Sequence, residues 1–187
     1  MGSRVIPIKI RPEQVSDYGA IAQMHTLAFG QADEARLVEK IRHSAAYVSD
    51  LALVAESDCQ IVGHILFSYG QLVGEGTVPV LVLAPLAVLP QHQRQGIGKR
   101  LVQQGLRAAR ARGNSLVTVL GEPAYYGQFG FEPAVHCGIE SPFPVPEAAF
   151  MVKLIGQNSD LLRGKLQYAP AFDDLIWEAT HANSHGL

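Results

Sequence analysis

The sequence predicts one mixed α/β domain. Two observations carry this. Runs of β-branched and aliphatic residues interleave with segments whose apolar residues recur every three to four positions, so strand and helix periods alternate along the chain. The 187 residues can bury a substantial core, and 48% hydrophobic with 17% charged residues is an ordered, compact composition. No repeat, coiled coil or interdomain linker interrupts the pattern, so residues 1–187 read as one unit, with a core over about 4–170 and a tail over 171–187.

Residues 5–11 read as a first strand. Ser16 or Asp17 is placed to cap a helix running to about Phe29, with Ile21, Met24, His25 and Ala28 marking one face. Asp33 and Glu34 open a second helix through about His43, with Leu37, Val38 and Ile41 inward. Residues 51–55 and 61–69 read as antiparallel strands joined by a tight turn at Ser57-Asp58, and residues 70–76 as a polar, glycine-containing loop. Residues 78–89 form the central strand. A helix over 97–112 carries Ile97, Leu101, Val102, Gly105, Leu106 and Ala109 on its core face and ends at Gly113-Asn114. A strand over 116–120, a short helix over 124–129 and a strand from Phe131 follow. Residues 141–146 are proline-rich and loop-like, and residues 148–155 and 165–168 supply the final strands.

Pro85 falls inside the central strand. Proline removes a ladder donor and is confined to edges or bulges, so a bulge or split here leaves neighbouring backbone groups for a ligand to pair with.

The net charge of −2, from 15 basic and 17 acidic residues, gives no general attraction to nucleic acid or acidic membranes. The apolar run over 78–90 holds three prolines and is too short for a membrane span, and the first ten residues lack the apolar core of a signal peptide. Gly2 is followed by Ile rather than Ser or Thr at position 6, against myristoylation. Cys59 and Cys137 form no Cys-x-x-Cys pair and are expected as buried reduced thiols, which fits a cytoplasmic setting. His136-Cys137 lacks a second ligand pair at metal spacing and reads as structural; His181 and His185 lie in the tail.

The densest chemical signal is Gln93-Arg94-Gln95-Gly96-Ile97-Gly98-Lys99-Arg100, between the central strand and the 97–112 helix. Strand, glycine-rich turn and helix together aim backbone N–H groups outward at a helix N-terminus, where the dipole favours an anion. Lys99 and Arg100 oppose that dipole, which makes sense if they face a polyanion. The spacing is neither the dinucleotide fingerprint nor a P-loop. Gln-x-x-Gly-x-Gly after Leu-Ala-Pro-Leu-Ala-Val resembles the acetyl-CoA motif of the GNAT superfamily of N-acetyltransferases. Downstream, Tyr126-Gly127-Gln128-Phe129-Gly130-Phe131 is similar to the late GNAT motif, a Tyr three residues ahead of Gly-Phe. Ala84-Pro85-Leu86-Ala87-Val88, Gly121-Glu122-Pro123-Ala124-Tyr125-Tyr126, the stretch Phe150-Met151-Val152-Lys153-Leu154 and Asp33-Glu34-Ala35-Arg36-Leu37-Val38 resemble the YhbS-like group within it.

The resemblance implies a GNAT-like fold of α+β type, a mostly antiparallel twisted sheet with helices on both faces and a splayed central strand pair, with acetyl-CoA as cosubstrate and no metal. Gln95, Gly96, Ile97, Gly98 and Lys99 would give backbone N–H groups to the pyrophosphate. Gln93 and Arg94 would meet phosphate or pantetheine polar groups, and Leu86, Ala87 and Val88 would pair with the pantetheine arm. The Leu86 N–H is the candidate for polarising the acetyl carbonyl. Tyr126 is the candidate general acid, its phenol matched in basicity to the leaving thiolate. Phe129 joins Tyr126 at the cofactor. The general base stays open among Glu122, which can equally cap the helix that follows it, His64, Glu75 and a water chain.

The reaction so implied is direct acetyl transfer to a primary amine, with the acceptor walled by the first two helices and the 70–77 loop. Transfer to oxygen, use of another acyl-CoA, and an acyl-CoA sensor without turnover remain as alternatives. The acceptor, whether small molecule, peptide or protein lysine, is not specified, and a homodimer through sheet edges or C-terminal strands is left open.

Overall fold

The computed structural model describes residues 7–157 and 159–174. Its elements in chain order are β1 (Lys9–Pro12), α1 (Tyr18–Phe29), α2 (Asp33–Arg42), β2 (Tyr47–Ser57), β3 (Gln60–Val73), β4 (Thr77–Val88), α3 (Ile97–Ala111), β5 (Leu116–Leu120), α4 (Pro123–Gly127), β6 (Glu132–Pro133), β7 (Ile139–Glu140), β8 (Phe150–Leu154) and β9 (Gly164–Gln167). The strands join in one sheet with path β1-β2-β3-β4-β5-β8-β6; β9 pairs with the far end of β3, and β7 with β9. All pairings are antiparallel except β4 with β5 and β7 with β9.

Side-chain alternation along the strands divides the core in two. One face of β2–β4, with Leu53, Ile65, Phe67 and Leu81, packs on Ile97, Leu101, Val102 and Leu106 of α3. The opposite face, with Ala52, Val54, Leu66 and Val82, packs on Ile21 of α1 and Leu37, Val38 and Ile41 of α2. Helices therefore cover both faces of the sheet.

Several boundaries differ from expectation. The first helix is preceded by a 3-10 turn over Val15–Asp17; Asp17 is the N-cap residue of α1 but gives it no side-chain cap bond, its carboxylate instead taking two hydrogen bonds from Arg11 and one from the Gln14 N–H in a capping box on the turn. The β2–β3 turn lies at Asp58-Cys59, with φ of 46° and 63°, because a two-residue hairpin needs left-handed backbone at its centre. Cys59 is consequently exposed, against the expectation of two buried thiols; Cys137 is buried. The expected 70–76 loop is mostly strand. Residues 70–73, Gly-Gln-Leu-Val, continue β3, paired with β4 throughout and with β9 from Gln71 on, so only the tip over 74–76 turns. His136 and Cys137 occupy a 3-10 turn rather than a strand. Residues 1–6, part of the expected first strand, and His181 and His185 lie outside the described residues.

Candidate active site

At Pro85 the central strand bulges. Ile65 faces Leu86 and Phe67 faces Leu83, so Ala84 and Pro85 together oppose Leu66, and the Ala84–Pro85 peptide is cis. The Leu89 N–H donates to Val62 O at 3.0 Å. Antiparallel alternation then makes Ala87 and His64 a hydrogen-bonded pair and turns the backbone groups of Leu86 and Val88 to the other edge of β4. On that edge β4 pairs with β5 only at Leu81–Val117 and Val82–Thr118. Beyond Thr118, β5 stays paired with β8 but leaves β4. A gap thus opens beside Leu86, Ala87 and Val88, with main-chain groups of Leu86 and Val88 on its wall.

The 89–96 link leads from this gap to α3. Gln93 Nε2 donates to Val88 O at 3.1 Å, and Gln95 Nε2 to Gln91 O at 3.1 Å, so both glutamine side chains brace the link itself. Arg94 and Gly96 both take left-handed backbone, at φ 59° and 82°, and Gly96 is the N-cap of α3. No side chain caps this helix, and its first turn holds no acidic residue. The N–H groups of Ile97, Gly98 and Lys99 therefore lack intrahelical partners and face outward with the positive end of the dipole. A Cβ at Gly96 would meet nothing within 4 Å, so the cradle opens to the surface. A Cβ at Gly98 would lie 2.7 Å from the Tyr125 hydroxyl, so this glycine makes room for Tyr125. Lys99 is exposed, whereas Arg100 Nη2 donates to Ile8 O at 2.8 Å and ties the N-terminal strand to α3.

Short helix α4 brings the aromatic residues alongside. Tyr126 lies over Gly121, where a Cβ would come within 2.4 Å of its ring, and packs edge-on against Tyr125 and Phe131. Burial raises the Tyr126 phenol above its ordinary range, with the Tyr125 phenol adding to the shift, and burial raises Tyr125 as well. Phe129 is buried in the core shared with α3. Glu122 is exposed and accepts from Ala124 N–H at 3.4 Å, the cap of α4.

Matched against family models, residues 9–134 fit the acetyltransferase (GNAT) domain. The chain belongs to the GNAT acetyltransferases. It is 37% identical to the Escherichia coli K12 uncharacterised N-acetyltransferase YjhQ, over 82% of this chain and 88% of that protein. Among solved structures, E. coli YhbS in complex with CoA superposes at a TM-score of 0.84 with 30% identity, covering 92% and 96% of the two chains. A GNAT family acetyltransferase from Brucella melitensis in complex with acetyl-CoA gives 0.74 and 31%, covering 89% and 99%. This is a YhbS-like GNAT fold, and the chain is an acyltransferase of that type.

The structure separates the base candidates. Glu75 sits at the β3–β4 hairpin tip, at the opposite end of β4 from Leu86 and about 30 Å away at the rise of a strand. His64 is fully buried directly across from Ala87. Its Nε2 is 3.0 Å from Glu13 Oε2 and its Nδ1 is 2.9 Å from His25 Nε2. Glu13 has no exposed side-chain surface and also accepts from Arg42 twice, at 2.9 and 2.8 Å, and from the Tyr47 hydroxyl at 2.9 Å. The Arg42 guanidinium lies 3.7 Å over the Tyr18 ring. Sequence reasoning singled out only His64 from this network. Glu13, Arg42 and Tyr47 come from three separate segments and carry no local motif.

Proposed function

We propose that this protein is a single-domain N-acetyltransferase that moves the acetyl group of acetyl-CoA directly to a primary amine. The observation that carries the reading is the β4–β5 gap leading straight into an uncapped, left-handed turn at the start of α3. One wall offers strand backbone to an amide-bearing arm, and the turn offers N–H groups to a pyrophosphate. Gln95 to Lys99 line the cradle, with Gly96 providing its left-handed corner; Arg94 adds charge beside it. Leu86 N–H polarises the acetyl carbonyl, Ala87 and Val88 flank the arm, and Tyr126 gives its proton to the leaving sulfur. Gln93 acts through Val88, and Phe129 backs Tyr126 from the core. Glu122 orders α4 as its cap. The relatives whose structures hold CoA or acetyl-CoA support the cosubstrate; a cytoplasmic enzyme is the proposed setting, and no helix among the described residues is long and apolar enough to cross a membrane.

Calorimetric titration of acetyl-CoA into wild type, Gly96→Ala and Gly96→Glu tests the cradle. Both variants share the strain of a left-handed L-residue, and only glutamate adds negative charge where the pyrophosphate sits. Expected is binding to wild type, weaker binding to the alanine variant, and loss in the glutamate variant. Equal binding to all three would move the phosphate site elsewhere. Binding to wild type without transfer to any of a broad panel of amines would favour an acyl-CoA sensor.

A further inference from the structure

The buried chain Glu13–His64–His25 has a direction, and its free end is unused by the fold. Glu13 is ionised: burial alone would raise its pKa, but hydrogen bonds from Arg42 and His64 outweigh this and bring it to about 2. An ionised carboxylate only accepts, so His64 Nε2 carries the proton of their 3.0 Å contact. Burial lowers the His64 pKa, so its ring is neutral and Nδ1 is a lone pair. His25 Nε2 must then donate across the 2.9 Å contact. Burial, the largest cause, likewise brings His25 down to about 3, with the Arg42 charge assisting and Glu13 opposing, so this ring is neutral too. What remains is His25 Nδ1, an unprotonated acceptor inside a fully buried side chain, with no hydrogen-bond partner. A core position gains nothing from such an atom.

Its location gives it a use. His64 stands across the ladder from Ala87, one residue from Leu86 and Val88 at the gap, and α1 packs over β3 and β4. Tyr126 belongs to the layer on the opposite face, with α3. Phe29, 43% exposed, stacks on the His25 ring with centroids 6.0 Å apart; use of the buried imidazole requires an incoming amine to displace a covering side chain.

We propose that His25 Nδ1 accepts the proton of the attacking amine, with His64 and Glu13 as positioning residues that hold its tautomer. This rests on the acetyltransferase reading above. As the amine nitrogen bonds to the acetyl carbon and the carbon–sulfur bond breaks, the nitrogen surrenders its proton to His25 Nδ1. The Tyr126 hydroxyl gives one to sulfur, and the proton on His25 then returns to solvent while Tyr126 regains one. A weakly basic imidazole suffices, because the nitrogen grows more acidic as its lone pair is drawn into the carbonyl. Acid and base thus act from opposite faces of the sheet.

His25→Gln tests this, since the glutamine amide can still donate to His64 but places no acceptor at Nδ1. Expected is acetyl-CoA affinity by calorimetry equal to wild type, with transfer to hydroxylamine slowed about 100-fold. Nitrogen NMR of histidine-labelled wild type, which needs neither acceptor nor variant, is expected to show His25 with an unprotonated Nδ1 and a protonated Nε2. A protonated Nδ1, or unchanged transfer by His25→Gln with binding intact, overturns the inference while leaving the acetyltransferase reading in place. A wild-type protein that binds no acetyl-CoA removes that reading, and this one with it.

Discussion

At Tyr126 one side chain meets two demands. Its ring fills the space over Gly121 and against Phe131, and its hydroxyl is assigned a proton to deliver. Burial holds the phenol above its ordinary pKa of about 10, so it stays protonated across the neutral range. Tyr126→Phe keeps the ring and deletes the proton. Steady-state kinetics should show kcat lowered by about 100-fold with acetyl-CoA affinity and melting temperature retained. A parallel Tyr125→Phe variant separates the two phenols: a larger loss there would transfer the acid role to the tyrosine that rests on Gly98.

At the scale of elements, α3 is held to the sheet by the absence of a side chain. A Cβ at Gly105 would fall 2.2 Å from Cε2 of Phe67, which is fully buried and has no room to move. Alanine in a helix interior normally gains about 1 kcal/mol over glycine, while overpacking a rigid core costs about 1–3 kcal/mol. With the clash at a buried aromatic ring the second effect wins, so Gly105→Ala should lower the melting temperature by a few degrees in calorimetry. The same close approach brings the N-terminus of α3 down to the end of β4, where the cradle begins. The hairpin at Asp58-Cys59 is set by another local rule: two left-handed residues between two long strands.

For the whole molecule, the network under α1 and α2 links stability to pH. Glu13 is depressed from 4.5 to about 2, so its contribution is complete above about pH 4.5 and is lost as pH falls through about 2. His25 is depressed from 6.5 to about 3, so unfolding releases it to take up a proton, and stability declines as pH falls below about 6.5. Denaturant unfolding followed against pH should therefore show stability falling from about 6.5 downward, before carboxylates begin to titrate. The histidine part of the slope should shrink in His25→Gln. Arg42→Met strands a buried carboxylate and should destabilise the fold by about 3–5 kcal/mol.

The order of elements, the glycine turn ahead of α3 and the tyrosine of α4 were legible in the chain because each rests on local chemistry: period, capping, and backbone freedom within a few residues. Pro85 announced a bulge for the same reason. The 70–73 segment was not legible as strand, since Gly70 and Gln71 read as loop until pairing with β4, and with β9 almost a hundred residues away, holds this backbone in the sheet. Glu122 likewise reads as base or cap in sequence, and only the structure shows it exposed with its carboxylate bonded to the Ala124 N–H. Residues 13, 25, 42, 47 and 64 share no spacing that could announce a site. Family and cosubstrate class were thus written in sequence, because they depend on contiguous backbone shapes. Which buried groups can move a proton was decided only by tertiary structure, because tautomer and pKa follow from burial and partners that the fold alone brings together.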